Sequence, residues 1–151
     1  MPRGALAVNS LKSVIRLHKW QLDEKRRALS ELQNLADRLR GELDRLKEDV
    51  QREQETARGN EEVAFGYAAF ARAALERGRR LTESIVQVEA QIAVATDAMA
   101  EAYQDLKRFE LAEEERIKRE REKLKQKENA MLDETALIGF RRRQQEENAG
   151  T

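Results

Sequence analysis

The chain has 151 residues, 38% charged and only 5% aromatic, with 29 basic side chains balanced by 29 acidic ones. That charge fraction, well above the roughly 25% of ordinary globular domains, leaves enough large apolar residues for a thin seam and too few for a thick core. The balance excludes an overall field toward nucleic acid or an anionic membrane, and the lack of cysteine excludes disulfides and thiolate metal sites.

The segments are no more polarised than the whole. Residues 1–58 carry 13 basic and 10 acidic side chains, 59–109 carry 6 and 8, and 110–151 carry 10 and 11. The opening Met-Pro-Arg-Gly-Ala-Leu-Ala-Val-Asn-Ser has too short an apolar run for a signal peptide. No stretch approaches the length of a transmembrane helix. These features predict a cytoplasmic protein built as one structural unit over residues 1–151.

The first element is a helix with a 4-3 repeat. Stepping four then three from Leu11 gives Ile15, His18, Leu22, Lys25, Leu29, Leu32, Ala36, Leu39, Leu43, Leu46, Val50, Glu53 and Ala57, apolar except at His18, Lys25 and Glu53. The only proline is Pro2, so nothing interrupts a helix over about residues 8–57, roughly 75 Å long. A seam of period 3.5 must be buried against another helix. In this register Trp20 falls on the outer face and forms an apolar i,i+3 pair with Leu17. It is either a contact surface or a ring lying flat along the helix under the stems of Arg16 and Lys19.

A turn is expected at about 58–60. Gly59 can adopt the left-handed conformation that ends a helix, Asn60 suits an N-cap, and Glu61 and Glu62 suit the dipole of a first turn. The second helix is expected over about 61–143. Its repeat is clear at Leu81, Ile85, Val88, Ile92, Ala95, Met99, Ala102, Leu106 and Phe109. Folding back at Gly59-Asn60 makes facing positions sum to about 119, and the two seams then end together, which favours an antiparallel hairpin within one chain.

Between the turn and Leu81 the sequence is alanine-rich, Tyr67-Ala68-Ala69-Phe70-Ala71-Arg72-Ala73-Ala74-Leu75. Such a stretch either lets the helices approach closely or leaves a shallow surface. Gly66 and Gly78 flank it, each costing about 1 kcal/mol in a helix, so a kink or a separate short helix is expected there. Beyond Phe109, Glu114 with Lys118 and Glu115 with Arg119 are spaced as i,i+4 pairs. Only Ile117, Leu124, Met131 and Ile138 keep a seven-residue beat. Helix 1 has no residue left to face this stretch, so helix 2 overhangs by about 30 residues, or ~45 Å, before a frayed tail over 144–151.

Motifs for chemistry are missing. His18, the only histidine, sits on the seam, where a lone histidine is ordinarily a tolerated polar core residue. Glu113-Glu114-Glu115 is a solvated charge run rather than a metal site. Arg58-Gly59-Asn60 has no phosphate-loop pattern around it. The basic runs Lys25-Arg26-Arg27 and Arg141-Arg142-Arg143 are interleaved with acids, which disfavours nucleic acid. We read no enzyme, no cofactor and no metal.

The opening Leu11-Lys12-Ser13-Val14-Ile15-Arg16-Leu17-His18-Lys19-Trp20-Gln21-Leu22-Asp23-Glu24-Lys25-Arg26-Arg27, the glycine-broken turn near Gly59 and Tyr67-x-x-Phe70 after it resemble the FliJ family of flagellar export proteins in its alphaproteobacterial form. The resemblance implies an antiparallel two-helix stalk that inserts into the hexameric export ATPase and assists flagellum assembly, hence motility and chemotaxis. It also implies contact with the cytoplasmic domain and linker of the membrane export gate, and with export chaperones. Its place would be cytoplasmic, peripheral to the inner membrane at the flagellar base. The gate platform near the turn would comprise Leu43, Leu46 and Val50 on helix 1 and Tyr67, Phe70 and Ala74 on helix 2. Enteric members carry tyrosines at the positions of Leu46 and Val50. The ATPase ring would meet Leu17, Trp20, Ile117 and Leu124. For the helix 1 residues the alternative is plain seam packing. For Tyr67 and Phe70 the alanines between them are too small to enclose both rings, which leaves core and contact surface both open. Alternatives for the whole chain are the equivalent stalk of a virulence-type secretion system, a generic coiled-coil adaptor and a nucleic-acid-associated rod.

Overall fold

The computed structural model describes residues 3–150, with side chains from Ser10 onward. Two helices account for the described chain, α1 (Arg3–Ala57) and α2 (Glu61–Ala149), with no strand among the described residues. α1 opens at Arg3, directly after the sole proline and before the expected start near residue 8. α2 is one uninterrupted helix through Gly66 and Gly78, so the expected kink or separate short helix is not there. Burying a continuous seam outweighs two glycine penalties of about 1 kcal/mol each. α2 also stays helical past Gln144, where a frayed tail was expected. The chain offers no breaker until Gly150, whose N–H donates to the carbonyl of Glu146 at 3.1 Å.

The chain divides into two compact units, Arg16–Leu106 and Met1–Ile15 with Lys107–Thr151. The first is an antiparallel hairpin containing the turn. Asn60 caps α2: its Oδ1 accepts from the Glu62 N–H at 3.2 Å, and its carbonyl accepts the first intrahelical bond from Ala64 at 3.0 Å. Glu61 and Glu62 occupy the first turn, where carboxylates complement the helix dipole. No glycine has positive φ among the described residues, so Gly59 does not use the left-handed conformation expected of it. The Asn60 N–H instead reaches back to the Ala57 carbonyl at 3.5 Å, and the turn closes without a left-handed residue.

The seam of the hairpin is as the repeats require. Leu22, Leu29 and Ala36 on α1 and Ala74, Leu81, Ile85, Val88 and Leu106 on α2 are buried. His18 is half-buried on the seam, and the two charged exceptions, Lys25 and Glu53, are exposed. The register differs from expectation. The nearest side chain to a Cβ placed on Gly78 is Leu46, and one depression gathers Trp20, Gln21, Glu24 and Lys25 with Ala98, Glu101, Ala102 and Asp105. Facing positions therefore sum to about 124, not 119. The reason is phase. A sum of 124 sets every seam residue of α1 from Ile15 to Ala57 against a seam residue of α2, Ala36 against Val88 and Leu46 against Gly78. A sum of 119 sets Leu22 against the charged Asp97. Burial of the apolar stripes decides the register, at roughly 1.5–3 kcal/mol for each large side chain fully removed from water, and the turn accommodates it. It also places Tyr67 level with Ala57, so the first turn of α2 stands beyond the end of α1. A cross-helix ion pair, Arg40 to Glu89 at 2.9 Å, joins the exposed edges, and the carboxylate raises the Arg40 pKa.

In the second unit, Leu11, Val14 and Ile15 of α1 and Phe109, Glu110, Glu113 and Arg116 of α2 are half-buried. Arg116 donates to both oxygens of Glu113 at 2.8 and 3.1 Å, and to Glu120 at 2.9 Å. Arg116 and, across the helices, Lys12 hold the Glu113 carboxyl below its ordinary value, and Glu113 raises Arg116 in return. Glu115 pairs with Arg119 at 3.2 Å as its spacing predicts, whereas Glu114 and Lys118 form no pair. From Ile117 to Ala149 every side chain is exposed and only Gly139 is partly covered, so this part of α2 has no partner among the described side chains.

Candidate functional site

Three apolar surfaces stand open, each within a single unit. The first lies toward the turn. Leu43, Leu46 and Val50 of α1 face Ala71, Ala74 and Gly78 of α2, and large side chains opposite small ones leave an open groove of about 670 Å³. Leu75 forms one apolar wall, and Lys47, Arg79 and Glu83 edge it. At Gly78 the helices approach closely, an added Cβ standing 3.7 Å from Leu46 Cδ2. Close approach and shallow surface thus occur together at the small residues.

Of the residues assigned to a gate platform, Leu43, Leu46, Val50 and Ala74 come together as the lining of this groove. They also serve the seam: Ala74 is buried and the other three are half-buried. Tyr67 and Phe70 do not line it. Tyr67 is half-buried as the seam residue level with Ala57, while Phe70 sits beside the seam, 37% exposed. Two residues escaped the sequence reading. Leu75 is 61% exposed in the groove wall, and Phe65 is 89% exposed in the second turn of α2. Continuing the 4-3 repeat upstream from Leu81 through Gly78, Ala74, Ala71 and Tyr67 would have placed both off the seam.

The second surface surrounds Trp20. Leu17 and Trp20 are more than half exposed, as the register predicts. Trp20 borders an open depression of about 510 Å³ with Gln21, Glu24 and Lys25 on its own helix and Ala98, Glu101, Ala102 and Asp105 opposite. The third surface is the seven-residue beat on the unpartnered part of α2, where Ile117, Leu124, Met131 and Ile138 are all exposed.

None of these surfaces gathers reactive groups. Among the described residues no cluster of His, Asp and Glu could hold a metal ion, and no helix is long and apolar enough to cross a membrane. The arrangement offers apolar contact framed by charge, suited to docking other proteins.

A family model described as Flagellar FliJ protein matches residues 8–145. No curated protein and no solved structure matches the chain.

Proposed function

Because the chain belongs to the flagellar FliJ protein family, whose role lies in flagellar protein export, we propose that it is the non-enzymatic stalk of the export machinery, inserting into the ring of the export ATPase and touching the export gate. The observation that carries this reading is the stretch Ile117–Ala149, helical, charge-rich and without a partner among the described side chains. A single helix of this kind fits a narrow opening, and its solvated face resists non-specific adhesion. Ile117 and Leu124 in one unit, and Leu17 and Trp20 in the other, are the apolar groups that would meet the ring. At the other contact, the groove of Leu43, Leu46, Val50 and Ala74, with Tyr67 and Phe70 nearby, would take an apolar segment of the gate's cytoplasmic domain or linker. Through that contact the chain sits at the inner membrane without entering it. Export chaperones are further partners under this reading.

The test is a pull-down with the purified export ATPase and, separately, with the gate's cytoplasmic domain, at physiological salt. Leu75→Glu adds a carboxylate to the groove wall at a position already exposed. It should abolish gate capture, leave ATPase capture intact and barely change stability. Equal capture of the gate by the wild-type chain and this variant would remove the groove from the proposal.

A further inference from the structure

We propose that the α2 segment Ile117–Ile138 pairs antiparallel with the same segment of a second copy of this chain. The inference does not depend on the export reading. It starts from the seven-residue spacing of Ile117, Leu124, Met131 and Ile138, all exposed and without a partner among the described side chains. Seven residues return a side chain to nearly the same face, so the four form one stripe about 33 Å long. Its spacing is symmetric about the point between Lys127 and Glu128. In an antiparallel pair Ile117 therefore meets Ile138 of the second copy, and Leu124 meets its Met131.

Charge decides the direction. With that symmetry Lys127 faces Glu128 of the second copy, Arg121 faces its Glu134, and Glu114 faces its Arg141, each contact occurring twice. These three pairs are opposite in sign, and no pair of like charges meets along the stripe, Glu120 facing Thr135 and Lys125 facing Ala130. A parallel, in-register pair would instead set each residue against itself, stacking Arg121 on Arg121 and Glu128 on Glu128, or Glu120, Lys127 and Glu134 on their own copies. Like charges at such positions destabilise coiled coils, and complementary ones set partner and orientation. The charges are also available. Arg116 and Arg119 take Glu113, Glu115 and Glu120 into pairs within the helix, whereas Glu114, Arg121, Lys127, Glu128, Glu134 and Arg141 have no ion pair among the described residues. Four apolar residues per copy form a patch smaller than a standard stable interface, so the dimer is weak, concentration-dependent and loosened by salt.

The test uses the full chain, which has no native cysteine to interfere with labelling. Spin labels at Gln126→Cys and, in a second sample, Gln144→Cys report the distance between copies at high protein concentration and low salt. Antiparallel pairing offsets the two 126 labels by about 4.5 Å along the axis and the two 144 labels by about 50 Å. The first sample should then give a short distance, on the order of 15–25 Å, and the second a long one. Short distances in both samples, or no dipolar signal in either, overturn the proposal. Charge reversal gives an independent reading by sedimentation. Lys127→Glu should weaken the dimer about tenfold, and Lys127→Glu with Glu128→Lys should restore it, because the swap recreates both pairs. A double variant no tighter than the single one also overturns the proposal.

Discussion

At Gly78 a missing side chain lets Leu46 approach α2 and leaves the floor of the groove low. An added Cβ there meets only Leu46 Cδ2, at ordinary contact distance, and the backbone is not left-handed. Gly78→Ala should therefore raise stability by about 1 kcal/mol, read by urea titration, because alanine loses less chain entropy in a helix. If Gly78→Ala is destabilising instead, the helices are closer there than the 3.7 Å contact allows. Glu113 is the residue whose titration matters. Its folded pKa lies below its ordinary 4.5, first through the Arg116 hydrogen bonds and then through the nearby Arg116 and Lys12 charges. A depressed carboxylate stabilises the fold above its unfolded pKa, and that contribution is lost as pH falls through the folded value. Acid melts of Glu113→Gln should show a shallower loss of stability below pH 4.5 than the wild type. Parallel curves would assign the acid sensitivity to other carboxylates.

Among the elements, the turn separates two residues that look equally important in the sequence. Asn60 makes the side-chain bond that caps α2, so Asn60→Ala should cost about 1 kcal/mol in thermal or urea unfolding. Gly59 has no positive φ, and a Cβ there meets nothing within 4 Å, so Gly59→Ala should cost little or stabilise slightly. The reverse order of effects would mean that the turn closes through the glycine. The groove and Trp20 belong to the same scale, because both depend on how α1 and α2 are set against each other. A shift of five residues in register would break up the lining by Leu43, Leu46 and Val50 against Ala74 and Gly78.

For the whole molecule, the unpartnered part of α2 is the feature that both proposals use, the ring contact and the paired dimer. Ile117→Glu with Leu124→Glu changes two exposed positions and should leave the melting temperature within a few degrees. The same variant should fail to raise the activity of the export ATPase and should stay monomeric by sedimentation. Because one stripe would serve both contacts, adding the ATPase to the wild-type chain should dissociate the dimer. Retained stimulation of the ATPase by the double variant would move the ring contact elsewhere, to Leu17 and Trp20 or off the apolar groups altogether.

Much of this protein was legible in its residues. The 4-3 steps from Leu11 to Ala57 and from Leu81 to Phe109 name every buried side chain but Ala74, because period 3.5 admits only one stripe to a partner helix. Asn60 and the two glutamates after it mark the start of α2 through local hydrogen bonding and the helix dipole. The sparse seven-residue beat after Phe109 marks the stretch of α2 whose side chains stay exposed. What the tertiary structure decided were quantities that two helices settle jointly. The register came from matching the phases of both stripes rather than from the midpoint of the turn. The continuity of α2 through Gly66 and Gly78 came from seam burial exceeding local propensity. The groove came from Leu43, Leu46 and Val50 meeting Ala71, Ala74 and Gly78, an opposition that neither stretch encodes by itself, because an unfilled volume is a property of two surfaces in contact.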